Sequence, residues 1–194
     1  MSETLAVPVL TGDRVVLRPH RTDDLDPILE RCLDEDTRRF TTIPLDYTRA
    51  MAQDYLDTLL RPSASTASWA IELQGGYAGT IDLRSLPVEG GAGALGFVTH
   101  PAYRGRGAMS DAVRLVLAHA LDTLGWQLVQ WTAHAGNWGS AKVVWRAGFP
   151  LPTFVPDLLV ERGQVLDAWV STLRQGATRV PVAPWDEVYA ALRR

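Results

Sequence analysis

The residues with the clearest chemistry are Arg104-Gly105-Arg106-Gly107, which follow an extended run from Leu95 to Thr99 and precede Ala108-Met109-Ser110-Asp111 at the start of an apolar helical pattern. Glycines at 105 and 107 let the backbone approach a ligand closely. The helix behind them presents four unpaired N–H groups, backed by the positive end of its dipole. Such an end binds phosphate. Arg104 and Arg106 add positive charge, which suits a pyrophosphate better than a neutral ligand. A glycine-rich connector into a core helix gives the same pattern, so the motif alone leaves both readings open.

The elements that must position this turn follow from periodicity. Arg14 to Arg18 alternates as a strand after a short lead-in at 1–12. Thr22 is placed to cap a helix with Leu25, Ile28, Leu29, Cys32 and Leu33 on one face. A second helix is expected from Asp46 to Leu60 through Ala50, Met51, Tyr55, Leu59 and Leu60. Ser68–Leu73 and Tyr77–Leu83 read as a hairpin about Gln74-Gly75-Gly76, and Ala94–Thr99 as the strand entering the Arg-Gly turn. From Met109 the apolar residues step by three and four to Leu124, a buried helix face that Gly125 ends. A strand at Leu128–Ala133, a helix from an Asn137 cap to about Ala147, and strands near Phe154–Val160 and Val165–Leu173 follow. Trp185, Val188, Tyr189 and Leu192 sit at helical spacing in the tail. This order predicts a mixed α/β (α+β) domain around a mostly antiparallel sheet.

The 194 residues suffice for one well-buried core. With 19 Lys and Arg against 22 Asp and Glu, the balance argues against a general nucleic-acid or membrane-surface binder, so any basic site is local. One cysteine, Cys32, excludes an internal disulfide and thiolate metal clusters; its apolar neighbours predict a buried structural thiol. No run of 18 apolar residues and no basic segment leading into an apolar one is present, which predicts a cytoplasmic protein without a membrane partner. No Gly-x-x-x-x-Gly-Lys-Ser/Thr occurs, so NTP hydrolysis lacks motif support.

Four pieces in order resemble the GNAT superfamily of acetyl-CoA-dependent N-acetyltransferases: Leu95-Gly96-Phe97 to Pro101, Arg104 to Met109, Asn137-Trp138-Gly139-Ser140 with Gly148-Phe149, and Gly163 with Asp167. Within it the chain looks like the Rim-type (RimJ/RimL-like) ribosomal-protein N-terminal acetyltransferases, whose entry into the second helix Arg38 to Tyr47 also resembles. The family's loop runs Arg or Gln, two residues, Gly, one residue, then Gly or Ala; Met109 departs at the last position. The resemblance implies a GNAT fold of about seven strands and about four helices over residues 1–176. Residues 177–194 would be an extension whose short helix docks on the domain or on a partner subunit. It implies acetyl-CoA as donor and no metal. Phe97, Val98 and Thr99 would pair with the pantetheine amides, and the N–H groups of Arg104, Gly105, Arg106, Gly107, Ala108, Met109 and Ser110 would hold the pyrophosphate. Asn137 would contact the pantetheine arm, a role compatible with plain helix capping.

The reaction so implied is attack of a free amine on the acetyl thioester, with Ser140 at the family's hydroxyl position protonating the thiolate. The base is less legible. In some members of the branch a glutamate before the Gly163 position serves, but Leu159 stands there, with Glu161 two residues on. Glu72, inside an otherwise apolar strand, and His134, at a strand end beside the cofactor mouth, are the other candidates. An α-amine of pKa about 8 is roughly 10% neutral at pH 7, whereas a lysine near ~10.4 is less than about 0.1% neutral. A weak base therefore suits an N-terminal α-amine of a protein or peptide. A small-molecule amine (amino sugar, antibiotic or metabolite) and a catalytically silent acyl-CoA-binding module are the alternatives, in a monomer or homodimer.

Overall fold

The computed structural model describes residues 5–193; residues 1–4 of the lead-in and Arg194 lie outside them. The strands β1 (Leu10–Thr11), β2 (Val15–Arg18), β3 (Thr66–Leu73), β4 (Gly76–Ser85), β5 (Ala92–Thr99), β6 (Leu128–His134), β7 (Thr153–Glu161) and β8 (Gln164–Arg174) form one sheet. Its order is β1-β2-β3-β4-β5-β6-β8-β7. Every neighbouring pair is antiparallel except β5 and β6. The helices are α1 (Leu25–Leu33), α2 (Glu35–Arg39), α3 (Arg49–Leu59), α4 (Ala108–Ala118), α5 (Trp138–Arg146) and α6 (Trp185–Leu192). Among the described residues, no helix is long and apolar enough to cross a membrane.

Period-two alternation along the strands gives the sheet two apolar faces. On one, Leu17, Trp69, Ile71, Ile81, Leu83 and Leu95 pack against Ala112, Val113, Val116 and Leu117 of α4 and Ala141 and Val144 of α5. On the other, Ala70 and Tyr77 meet Ile28 and Cys32 of α1 and Ala52 and Leu56 of α3. Each fully buried Leu or Ile contributes about 1.5–3 kcal/mol of transfer free energy. Trp69, fully buried, also donates its indole N–H to the Pro8 carbonyl at 2.7 Å, which ties the N-terminal segment to the core. Cys32 is buried, as its neighbours predict. The tail helix α6 stacks on α5 through Trp145–Trp185 and Trp138–Tyr189, ring centroids 5.3 and 4.5 Å apart.

The mixed fold is as expected, with differences of detail. β1 arises within the lead-in, and α2 is an additional one-turn helix capped by Asp34, whose carboxylate accepts from the Thr37 N–H at 2.9 Å. The second long helix starts at Arg49 rather than Asp46, because Thr48 caps it; its buried residues are Ala52 and Leu56, one step round from the expected face at Ala50 and Met51. Thr22 does not cap α1: it opens a 3-10 turn, Thr22–Asp24, whose cap residue is Arg21. The α4 face is buried as its spacing predicts as far as Leu121, but the last turn, His119–Thr123, widens to a π-helix and Leu124 is exposed.

Asp24 holds the entry to α1. It receives Arg18 through two hydrogen bonds of 2.8 and 2.9 Å and the Arg21 N–H at 2.9 Å. Burial alone would raise its pKa, but the bonds from Arg18, His20 and Arg21 outweigh it and hold the carboxyl well below the ordinary range. A depressed folded-state pKa gives stabilisation that is complete above the unfolded value near ~3.9 and is lost as pH falls through the folded one. Asp24→Asn is therefore expected to lower the unfolding free energy by about 3 kcal/mol at pH 7 in denaturant titrations, with a deficit that shrinks below about pH 4.

Candidate active site

β5 and β6 pair over only four residues, from Ala92↔Leu128 to Leu95↔Trp131. Beyond that point β4 still holds β5 as far as Thr99, and β8 still holds β6 as far as His134. The two parallel strands therefore separate while each stays fixed on its outer side. The edge of β5 at Phe97, Val98 and Thr99 is left without a strand partner. A cavity of about 790 Å³ occupies this mouth. Its walls include those three residues, the start of α4 and the start of α5. Of the residues singled out in the sequence, Phe97, Val98, Thr99, Arg104, Gly105, Gly107, Ala108, Met109, Ser110, Asn137 and Ser140 line it. Arg106, Glu72 and His134 do not.

At the start of α4, Gly107 is the cap residue, left-handed at φ +81°, and no side chain caps the helix. The first helical bond there is from the Asp111 N–H to the Gly107 carbonyl, 3.2 Å. The preceding amides of the first turn are thus free to meet a ligand. Gly105, at φ +74°, makes the other left-handed step of the turn, which a residue with a Cβ adopts only with strain.

The arginines of the turn act differently from expectation. Arg104 binds Asp34, Asp36 (3.3 Å) and the Thr37 hydroxyl (3.0 Å), so its charge is matched by two carboxylates and it anchors the turn to α2. Burial would raise Asp34, but Arg104 and Thr37 hold it below the ordinary carboxylate range. The Arg106 guanidinium lies over the Tyr103 ring, 5.4 Å from its centroid, and outside the cavity. The cavity's remaining cations are Arg39 at the end of α2 and Lys142 and Arg146 on α5, none of them singled out in the sequence. The signal was present, since Lys142 and Arg146 are four apart on the helix that begins with Asn137.

On α5, Asn137 Oδ1 accepts the Ser140 N–H at 3.1 Å, a helix cap. The Trp131 indole donates to Ser140 Oγ at 3.0 Å. An indole N–H can only donate, so Ser140 is the acceptor in this bond and its own proton remains available to a ligand in the cavity.

The two other catalytic candidates are engaged elsewhere. Glu72 is a correction: it lies across from Val16 on β2 and accepts from Arg18 Nε at 2.8 Å, where it completes the ion pairing of a guanidinium also bound to Asp24. His134 stands one layer behind the wall. Its Nε2 is buried 2.9 Å from Glu161 Oε1, and its ring meets the edge of Phe40, which does line the cavity. The neighbouring Arg162, in the β7–β8 turn, donates to the carbonyls of Arg38, Thr41 and Ile43 at 2.8, 2.5 and 2.7 Å. His134, Glu161 and Arg162 together fasten the hairpin to the segment after α2 that forms one side of the mouth.

A separated parallel strand pair, an uncapped helix N-terminus and a hydroxyl facing the same cavity match the arrangement that the motifs imply. Residues 14–150 match the acetyltransferase (GNAT) domain family. Among solved structures, a GNAT-family acetyltransferase from Bacillus anthracis superposes with a TM-score of 0.77 at 16% identity, covering 87% of this chain and 99% of its own. Mycobacterium smegmatis RimJ in complex with CoA-disulfide gives 0.74 at 16% identity, covering 87% and 88%. The microcin C7 self-immunity acetyltransferase MccE, in complex with acetyl-CoA and AMP, gives 0.74 at 12% identity, covering 84% and 93%. These likenesses speak for the fold, and the family match over most of the chain speaks for the chemistry. The chain belongs to the GNAT acetyltransferase family and is an acetyl-CoA-dependent N-acetyltransferase.

Proposed function

We propose that this protein moves the acetyl group of acetyl-CoA to the N-terminal α-amine of a protein or peptide, as in the Rim-type branch that its motifs resemble. The observation that carries the reading is the hydroxyl of Ser140, which accepts from Trp131 and keeps its own proton for the cavity. In this reading the pantetheine arm adds to the free edge of β5 at Phe97–Thr99 as an extra strand would. The pyrophosphate sits on the amides between Arg104 and Ser110, with Lys142 and Arg146 supplying the charge that Arg104 gives to Asp34 and Asp36. Asn137 caps α5 and faces the arm. Ser140 protonates the departing thiolate, so that the tetrahedral intermediate collapses toward the amide.

The acceptor class follows from base strength. Neither Glu72 nor His134 reaches the cavity wall as a free side chain. A weak or water-mediated base favours an amine already partly neutral, which the α-amine is and a lysine side chain is not. A small-molecule amine is the second reading, favoured by the modest size, about 400 Å³, of a second cavity over the part of β5 still paired with β6, at Ala94 and Leu95.

Two outcomes test the assignment. Lys142→Ala and Arg146→Ala should each weaken acetyl-CoA binding about 5- to 10-fold in calorimetric titrations, roughly 1 kcal/mol for a charge-assisted contact at a solvated site. Ser140→Ala should lower kcat by about 10²-fold or more, measured as amine-dependent release of CoA thiol from unblocked peptides, while acetyl-CoA affinity stays within about twofold. Equal turnover by Ser140→Ala removes the acid role. Acetylation of small amines with no activity on any peptide would move the assignment to the second reading.

A further inference from the structure

The alternation of β4 that buries Ile81 and Leu83 against α4 sends Thr80, Asp82 and Arg84 to the opposite face of the sheet. Asp82 pairs in register with Gly96, and Arg84 with Ala94. Gly96 is the first residue of β5 after its pairing with β6 ends at Leu95↔Trp131, so Asp82 stands beside the point at which the strands separate. Gly96 has no positive φ, so its backbone does not require glycine. What the missing side chain provides is space. A Cβ at 96 would lie 3.3 Å from Arg84 Nη2 and 3.9 Å from Asp82 Oδ2, so a cation and a carboxylate converge on the volume above this one residue.

Neither charged group forms a salt bridge among the described residues, although Arg84, His20 and Arg31 all pull on Asp82 electrostatically. Among the described residues, Arg84 makes no salt bridge, and Asp82 has a single hydrogen-bond partner, Ser68, whose hydroxyl donates to Oδ1 at 2.5 Å. Oδ2 therefore remains open toward Gly96. Arg84 lines the cavity of about 400 Å³ together with Thr66, Ala94, Leu95 and Thr132. Strand β5 thus walls both cavities, the larger through Phe97–Thr99 and the smaller through Ala94 and Leu95, on the two sides of the separation. Gly96 lies between these two stretches of β5.

We propose that Asp82 and Arg84 form the acceptor subsite, Asp82 receiving the acceptor's ammonium group and taking its proton, and Arg84 holding a carboxylate next to that amine. The preferred acceptor is then an α-amine beside an acidic group: a peptide with Asp or Glu at its first or second position, or a free amino acid. This rests on the α-amine reading above and narrows it. The ammonium gives one proton to Asp82 Oδ2, and the freed lone pair forms the C–N bond at the acyl carbon. The C–S bond breaks, and the thiolate takes up a proton as the nitrogen loses its second. The products are the amide, CoA thiol and the one proton that Asp82 returns to solvent. Burial pushes Asp82 above the ordinary carboxylate range, against the hydrogen bond from Ser68, which makes it a better proton acceptor than a solvated aspartate. The charged and titratable groups facing it are His20 from the segment after β2, Arg31 from α1, Tyr55 from α3 and Arg84 from its own strand.

The experiment compares wild type, Asp82→Asn and Arg84→Gln on peptides identical except for an acidic, neutral or basic residue at positions one and two, and on free aspartate and glutamate, with acetyl-CoA affinity and thermal unfolding as controls. Wild type should favour acidic acceptors about tenfold in kcat/KM, and Arg84→Gln should abolish that preference by raising KM for acidic acceptors alone. Asp82→Asn should lower kcat on every acceptor by about 10²-fold or more at pH 7, bind acetyl-CoA normally, and recover with rising pH as the amine sheds its own proton. Turnover of free amino acids but not peptides would identify the small-molecule source of the same chemistry. Equal turnover of neutral and acidic peptides, or an acidic preference that survives Arg84→Gln, overturns the inference and leaves the α-amine reading standing. Retained kcat in Asp82→Asn also overturns it, and if that variant does not fold, Arg84→Gln, an exposed position, decides. Failure to acetylate any peptide or amino acid overturns both.

Discussion

Everything at the site depends on a backbone edge that loses its partner. Buried N–H and C=O groups that are left unpaired cost free energy comparable to a lost hydrogen bond, so a strand that ends its ladder within a sheet must find other partners. β5 reaches that point after Leu95, held on its far side by β4 as far as Thr99. The amides of a pantetheine arm are chemically the groups that such an edge lacks. The same separation lets α4 and α5 begin in the gap, the first behind Gly107 and the second behind Asn137, so both helix N-termini face one cavity. The cavity at this mouth is thus a consequence of where a parallel pairing stops.

Charge is distributed to serve that geometry. Arg104 is matched by Asp34 and Asp36 and Arg18 by Asp24 and Glu72, pairings that fix the turn and the entry to α1 and leave no net positive charge at those places. A guanidinium already matched by two carboxylates offers little attraction to a third anion. The other cations lining the cavity are Arg39, Lys142 and Arg146. Hydrogen bonds rather than net charge hold Ser140, since the Trp131 indole donates to its hydroxyl and Asn137 accepts its backbone N–H.

Much of this was legible in the sequence, and what was missed has physical causes. The Arg104–Ser110 turn, the Asn137 cap and Ser140 were readable because glycines, caps and helix starts are local, and the structure brings them to one cavity. The role of Arg104 was not, because its partners Asp34 and Asp36 lie about seventy residues away in a one-turn helix too short to leave a periodic signal. Glu72 looked exceptional in an apolar strand, yet its partner is Arg18 on the adjacent strand, a cross-strand relation that only the register of β2 on β3 reveals. The place of Asp82 beside Gly96 is hidden in the sequence for the same reason: a polar residue at an alternating position reads as solvent-facing until the opposing residue is known. The face of α3 was readable only in part: Tyr55 and Leu59 pack against the cluster of Ala52 and Leu56, whereas Ala50 and Met51 lie exposed in its first turn.

The central claim, that the free edge of β5 and the uncapped start of α4 hold acetyl-CoA, is tested most directly by amide hydrogen exchange with and without the donor. Slowed exchange confined to Phe97–Thr99 and Gly107–Ser110, with the hairpin at Glu161–Gly163 unchanged, is the result the account predicts. Saturating acetyl-CoA that leaves both segments exchanging at their unliganded rates would contradict it.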